Sequence, residues 1–329
     1  MKVLFIGGTG IISSACSELA VERGIDLYHL NRGTSVDIRP ISGVKTIKAD
    51  IRNRDESLAA LGDHHFDVVV SWITFTTEHL QTDMEIFEGR IKQYVFISTA
   101  ALYETPPSRL PITEKTPLSN PYWEYARNKI AVEDRLRQAY QESGFPSTIV
   151  RPSHTYDKTL IPLQGGITTL MRMKQGLPVV SHGDGASIWT LTHHKDFAVA
   201  LVGLLGKREA IDQAYHITSD EWLSWDNIFR YMGSALGVEP DLVHIPSDII
   251  ARYDKVFAEG LLGDKSHSMI FDNSKIKALV PEFSAKIPFE QGAREIVDWY
   301  MADPSRQRVD PQLNTMFEKM IEDYSRYGR

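Results

Sequence analysis

A chain of 329 residues, 42% hydrophobic and 24% charged, has enough material for one large α/β domain or a core domain carrying a smaller one. Its net charge of -7, with Lys and Arg in no run longer than a pair, speaks against nucleic acid or another polyanion as partner. The single cysteine, Cys16, excludes an intrachain disulfide and a Cys-type metal site, and suits a reducing compartment such as the cytoplasm. No stretch approaches the roughly 20 apolar residues of a membrane span, and the N-terminal run Val3 to Ile6 is too short for a signal segment.

Short apolar runs alternate with helical patterns through the first half. Val3-Leu4-Phe5-Ile6 predicts a first strand, and Ser13 to Arg23 a helix that stops at Gly24. Further strands are predicted at Leu27 to Leu30, Val44 to Ala49, Phe66 to Ser71, Tyr94 to Ser98 and Ser147 to Val150. Such alternation builds right-handed βαβ units and a doubly wound parallel sheet, so the fold class is α/β. After about residue 157 the alternation weakens. Helical patterns recur at Asp196 to Leu205 and Trp225 to Leu236, with a strand-like Ala214 to Thr218 between them. The expected division is a dinucleotide-binding core over 1–157 and a smaller C-terminal substrate lobe over 158–329, with segments near 186–218 returning to the core. The tail from Asp303 is polar and partly helical.

Gly7-Gly8-Thr9-Gly10 follows the first strand and opens a helix, the context in which glycines bind a dinucleotide. Gly7 permits the tight turn and Gly10 a close approach to the pyrophosphate. The backbone amides of Ile11 and Ile12, at the helix N-terminus, face the anion. Ser13 stands where a third glycine is usual. The second strand ends Asn31-Arg32 with no carboxylate, which favours NADP slightly over NAD. Arg32 is either a partner for a 2′-phosphate, helped by the Thr34 or Ser35 hydroxyl, or a solvated arginine in a turn. Asp50 either accepts from the adenine amino group or serves its own loop. Asp50-Ile51 and Ser71, at the ends of the third and fourth strands, complete the expected cofactor wall.

Tyr125 and Lys129 lie four apart in a helical pattern, so both can face one cleft. Hydride transfer at a carbinol or carbonyl carbon needs a coupled proton at oxygen. A free tyrosine, with a pKa near 10, is a poor base at neutral pH. An adjacent ammonium and a positive nicotinamide ring would lower that pKa. Thr99, just after the fifth strand, is placed to hold the substrate oxygen. These three form the candidate catalytic set.

In these motifs the chain resembles the extended short-chain dehydrogenase/reductases, the NAD-dependent epimerase/dehydratase family, over nearly its whole length. Gly7 to Ser13 is similar to the family's glycine motif, and Phe96 to Tyr103 to the segment that places its active-site hydroxyl, here Thr99. Tyr125, Lys129 and Glu133 match its tyrosine-lysine helix, and Arg151-Pro152 its segment near the nicotinamide. Gly183-Asp184-Gly185, His193 to Asp196, Asp272 to Lys275 and Phe289 to Gly292 resemble later markers. The resemblance implies a Rossmann core, a bound NAD(P) contacted also by Pro152, Tyr125 and Lys129, and often a nucleotide-sugar substrate. It also implies a homodimer through helices at about 76–90 and 122–141.

The departures from the family pattern are Ser13, Asn31-Arg32, the loop Ser71-Trp72-Ile73-Thr74, and Asp157 after Tyr156. The last three resemble an atypical branch that includes plant chloroplast RNA-binding proteins. Two hypotheses follow: an NAD(P)-dependent oxidoreductase or epimerase acting on a sugar-like alcohol or ketone, and a non-catalytic NAD(P)- or RNA-binding protein on the same fold. The intact Thr99-Tyr125-Lys129 set and the acidic charge favour the enzyme. In the family's 4,6-dehydratases an Asp-Glu pair follows the threonine, and decarboxylating relatives carry a glutamate at the second of these positions. Here the two residues are Ala100 and Ala101, so hydride transfer without elimination or decarboxylation is expected. Relatives that epimerise next to a ketone use a cysteine and a histidine, whereas Cys16 belongs to the first helix. Trp72, Ala100 and His154 are weaker candidates for substrate contact; Trp72 equally suits the core and His154 a loop or core position. Tyr122 and Trp123 read as packing residues. No metal site is expected at His64-His65 or His193-His194, because adjacent side chains rarely face one ion.

Overall fold

The computed structural model describes residues 1–33, 39 and 41–327. Its centre is a seven-stranded sheet. In chain order the first six strands are β1 (Lys2–Ile6), β2 (Asp26–Asn31), β3 (Lys45–Lys48), β4 (Phe66–Ser71), β5 (Ile91–Ile97) and β6 (Ser147–Pro152). Four short strands follow, β7 (His154–Tyr156), β8 (Val179–His182), β9 (Ile188–Trp189) and β10 (Leu191–His193), and then β11 (Gln213–Ile217). The order across the sheet is β11-β6-β5-β4-β1-β2-β3, with every neighbouring pair parallel. This is the Rossmann-type doubly wound arrangement that the alternation predicts.

Strand β1 shows why the sheet holds. Val3 and Phe5 join one apolar cluster, while Leu4 and Ile6 join the cluster on the opposite face. A strand buried on both faces reads as an unbroken apolar run, as central parallel strands do. On the first face lie α1 (Ile11–Glu22) and α6 (His194–Leu204). On the other lie α2 (Arg54–Leu61), α3 (Thr77–Phe87) and α4 (Glu124–Ser143). Helix α5 (Ile167–Lys174) belongs to the C-terminal part.

Helix α1 begins two residues before the predicted Ser13. The reason is Ser13 itself, whose Oγ accepts from the Gly10 N–H at 2.8 Å and closes the helix start. The C-terminal part contains β12 (Leu223–Ser224), α7 (Trp225–Leu236), β13 (Leu242–Ile245), α8 (Ser247–Ile250) and α9 (Lys255–Gly260). Then come a π-helical turn at Leu261–Lys265, α10 (Ser274–Leu279), α11 (Phe289–Met301) and α12 (Pro311–Tyr327). Its core gathers Trp189, Trp225, Phe229 and Phe289. Helix α12 buries Phe317 and Met320 against Ile245, Ile250 and Leu261, so the polar-looking tail is docked. Among the described residues no helix is long and apolar enough to cross a membrane.

Candidate active site

The sheet order reverses between β1 and β4, whose ends lie side by side with Ile6 opposite Ser71. Crevices at such a switch point take ligands at the carboxyl ends of the strands. One cavity opens there, and a second at the ends of β5 and β6.

The first, of about 400 Å³, is walled by Gly7, Thr9, Asn31, Arg32, Asp50 and Ile51, together with Arg52, Ile73, Phe75 and His79. Gly7 and Gly8 have φ of 102° and 103°, a region that L side chains rarely adopt. A Cβ on Gly8 would also sit 2.5 Å from His29 Nε2, which bonds Ser17 Oγ at 2.8 Å. Asn31 Oδ1 accepts from the Gly33 N–H at 2.9 Å and pins the turn that presents Arg32. Lys48 stands against the same turn, its Cε 3.3 Å from where a Gly33 Cβ would be. Thr34 and Ser35 lie outside the described residues. Asp50 lines the cavity, but its Oδ1 also accepts from the Arg52 N–H at 3.0 Å, so it serves its own loop as well.

This cavity suits a dinucleotide on two observations: the backbone of Gly7 in the wall, at a φ of 102° that side-chain-bearing residues rarely adopt, and cations where β2 ends. Ile11 and Ile12 follow at the start of α1, whose first amides have no helical acceptor. Ser71 departs from expectation. It is fully buried and its hydroxyl bonds Thr74 Oγ1 at 2.6 Å and donates to Asp83 Oδ2 at 3.0 Å. Tyr94 OH and Thr74 Oγ1 each donate to the same Asp83 oxygen at 2.6 Å. The Ser71 side chain therefore anchors the loop after β4 instead of facing the cavity.

The second cavity, of about 380 Å³, is walled by Thr99, Ala100 and Ala101 after β5, Tyr125 and Trp123 at α4, and Pro152, Ser153 and His154 after β6. From the C-terminal part come Leu160, Trp189, Asp264 and Lys265. Thr99 and Tyr125 thus line one cavity, and the Thr99 hydroxyl acts to hold the phenol's pKa down. Burial raises the Tyr125 phenol above its usual value, Thr99 opposes this, and the Asp264 carboxylate adds to it. The phenol keeps its proton at neutral pH.

Lys129 shares the Tyr125 face of α4 but is 1% exposed. Its Nζ lies 5.8 Å from the Tyr125 ring centre and donates to Thr74 O at 2.7 Å and Ile97 O at 2.8 Å. Two of the three ammonium protons therefore tie the loop after β4 to the end of β5. Burial pushes its pKa down to about 7. The expected ammonium beside the phenol is replaced, in this geometry, by a lysine that braces the floor beneath it.

Beneath both hydroxyls lies a buried ion pair. Arg151 Nη2 and Nε donate to Glu133 at 2.5 and 2.9 Å, and Ser98 Oγ donates to Glu133 Oε1 at 2.7 Å. This joins the residue before Thr99, the helix of Tyr125 and the strand before Pro152. Trp72 packs edge-on to Phe5 at 5.4 Å beside Gly7 and lies outside the wall of the second cavity, so it supports the glycine turn. Its buried indole Nε1 has no hydrogen-bond partner among the described residues. Trp123, read from sequence as a packing residue, lines the cavity, while Tyr122 is 45% exposed. His154 is held neutral, its pKa lowered to about 3 by burial and then by Lys265. Asp264 and Lys265 were not singled out by sequence; an acid-base pair directly after Leu261-Leu262-Gly263 was the available signal. Burial lifts the Asp264 carboxyl to about 6.

Residues 3–218 match the model of the NAD dependent epimerase/dehydratase family. Over 257 residues the chain is 25% identical to the chloroplast stem-loop binding protein of 41 kDa b from Arabidopsis thaliana, covering 74% of this chain and 65% of that protein. It is 26% identical over 284 residues to 2'-dehydrokanamycin reductase from Streptomyces kanamyceticus, covering 80% of this chain and 78% of the reductase. The fold superposes with a TM-score of 0.74 on dTDP-glucose 4,6-dehydratase from Bacillus anthracis in complex with NAD, at 20% identity, over 93% of this chain and 98% of that one.

Proposed function

The chain belongs to the NAD dependent epimerase/dehydratase family, and from that premise we propose that it is an NAD(P)-dependent oxidoreductase or epimerase acting on a sugar-like alcohol or ketone. The observation that carries this reading is that Thr99 and Tyr125 line one cavity with Pro152, while a separate cavity at the ends of β1 and β2 is walled by Gly7, Asn31 and Arg32. A nicotinamide dinucleotide, when bound, supplies the hydride acceptor or donor. Gly7, Gly10 and the amides of Ile11 and Ile12 would hold its pyrophosphate, with Arg32, Asp50 and Ile51 at the adenosine end. Thr99 holds the substrate oxygen by hydrogen bond. Tyr125, protonated at rest, gives its proton to that oxygen in reduction and takes it back in oxidation. Lys129, tied to Thr74 O and Ile97 O, positions the loop after β4 and the end of β5 around the phenol.

NADP is the preferred cofactor in this reading, because Arg32 and Lys48 flank the turn after β2 and the strand itself ends on Asn31 instead of a carboxylate. Arg32→Ala should weaken NADP binding by roughly 1–3 kcal/mol, the size of a lost charge-assisted bond, and leave NAD nearly unchanged in calorimetric titration. An equal loss for both cofactors would show that Arg32 does not read the 2′-phosphate.

Ala100 and Ala101 form part of the cavity wall and can transfer no proton. Products should therefore differ from substrates by two hydrogens, or be isomers of them, in mass analysis. A product lighter by water or carbon dioxide would sink this reading. The RNA-binding alternative rests on Asn31-Arg32, the loop Ser71 to Thr74 and Asp157 and on the name of one relative, and the charge of -7 counts against it; a gel mobility shift decides it.

A further inference from the structure

The π-helical turn Leu261–Lys265 brings two charged side chains to the cavity from the far side of Tyr125. Turns of this kind are rare and are frequent at functional sites. This one is clamped at its middle and at its C-terminal end. Asn120 Nδ2 donates to Gly263 O at 2.6 Å. Three groups converge on Lys265 O: Trp225 Nε1 at 3.1 Å, His182 Nε2 at 3.0 Å and Ser187 Oγ at 3.2 Å. Asn120 is 2% and Trp225 2% exposed, so these are interior bonds that fix the turn.

What the turn presents is incompletely partnered. The Asp264 side chain is 13% exposed, and its nearest cation, Lys265 Nζ, stands 3.8 Å away, beyond hydrogen-bond range. Among the described residues no side chain donates a hydrogen bond to the Asp264 carboxylate. A sheltered carboxylate without donors is costly unless a ligand supplies them. Lys265 Nζ lies 5.7 Å from the Trp123 ring centre and 5.8 Å from that of Trp189, so two flat indoles flank the charged pair.

Beyond lies an annex of about 250 Å³ that shares Trp123, His154, Leu160 and Lys265 with the cavity. Ile161, Leu163, Val256, Phe257 and Leu261 make its wall apolar. Among the described residues lining the two chambers, Lys265 is the one Lys or Arg, and Asp264 offsets it. A diphosphate needs more positive charge than that.

We propose that the cavity binds a neutral polyhydroxylated ring bearing an apolar substituent and lacking a nucleoside diphosphate, with Asp264 and Lys265 holding its hydroxyl groups and the annex taking the substituent. Ring hydroxyls donate to Asp264 and accept from Lys265, while the C–H faces lie against Trp123 and Trp189. This rests on the second cavity being the substrate site, as proposed above, and deepens that reading.

The test is calorimetric titration of the full chain loaded with NADP. The probes are phenyl and methyl glucoside, galactoside and mannoside, and UDP-glucose. At least one phenyl hexoside should bind, and more tightly than its methyl counterpart and than UDP-glucose. Asp264→Asn should weaken it about ten- to hundredfold, as for lost bonds to a charged group. Val256→Asp, on the exposed rim, should weaken the phenyl hexoside and spare the methyl one. Tighter binding of UDP-glucose, binding of no hexoside, or full affinity in both variants would overturn the proposal. Binding is read without turnover, so a hexoside that binds and is not converted would count against the hydride-transfer reading and leave this one standing.

Discussion

Tyr125→Phe is expected to lower turnover by about 10²- to 10⁴-fold, the usual worth of a positioned proton donor, while dinucleotide binding stays near wild type. The substitution removes one hydroxyl and keeps the ring against Trp123 at 5.3 Å. Thr99 would still stand in the cavity, held by its own bond from the Ala101 N–H at 3.2 Å. The loss should fall on kcat, because the proton moves in the transition state and not on binding. The native phenol carries its proton at neutral pH, held there by burial and by Asp264. In the reductive direction the protein is therefore already in the protonation state it needs, and the variant has no proton to give. Single-turnover rates with matched cofactor titrations measure the two quantities separately. Near-wild-type turnover would mean that another group, Asp264 being nearest in kind, moves the proton.

The second large effect is on stability. Glu133→Ala should destabilise the fold by about 3–5 kcal/mol, the cost of leaving one member of a buried ion pair uncompensated. Arg151 is 1% exposed and directs two nitrogens at Glu133. Its remaining neighbours, Tyr103 OH at 3.1 Å and Glu114 O at 3.3 Å, cannot neutralise a guanidinium. The partly exposed Arg137 loses a contact as well, which matters little by comparison. The double variant Glu133→Leu with Arg151→Met removes both charges and should cost less than the two single variants summed. Urea unfolding checks both statements. A single-variant cost below about 1 kcal/mol would show that water or side-chain movement relieves the charge. Because Ser98 also bonds Glu133, the single variant should loosen the segment that carries Thr99.

Much of the architecture was written in local pattern. The apolar run of β1, the glycines after it and the repeated strand-helix spacing specify a parallel sheet, because each βαβ unit has one favoured hand and one face to bury. The four-residue spacing of Tyr125 and Lys129 put them on one face of α4, and Thr99 followed a recognisable strand end. Those signals are local, so the chain alone carries them.

What only the tertiary structure decided depends on contacts between distant segments. Nothing near Lys129 in the chain says that Thr74 O and Ile97 O take its protons, or that Ser71 turns toward Asp83 and away from the cavity. Lys48 stands beside the Gly33 turn because β2 and β3 pair in one register, with Asn31 opposite Lys48. Asp264 and Lys265 join Tyr125 through a turn clamped by Asn120, His182, Ser187 and Trp225, which come from three separate stretches of chain. Periodicity reports which face of an element is buried. It does not report which other element will cover that face, and the wall of the second cavity is made where such elements meet.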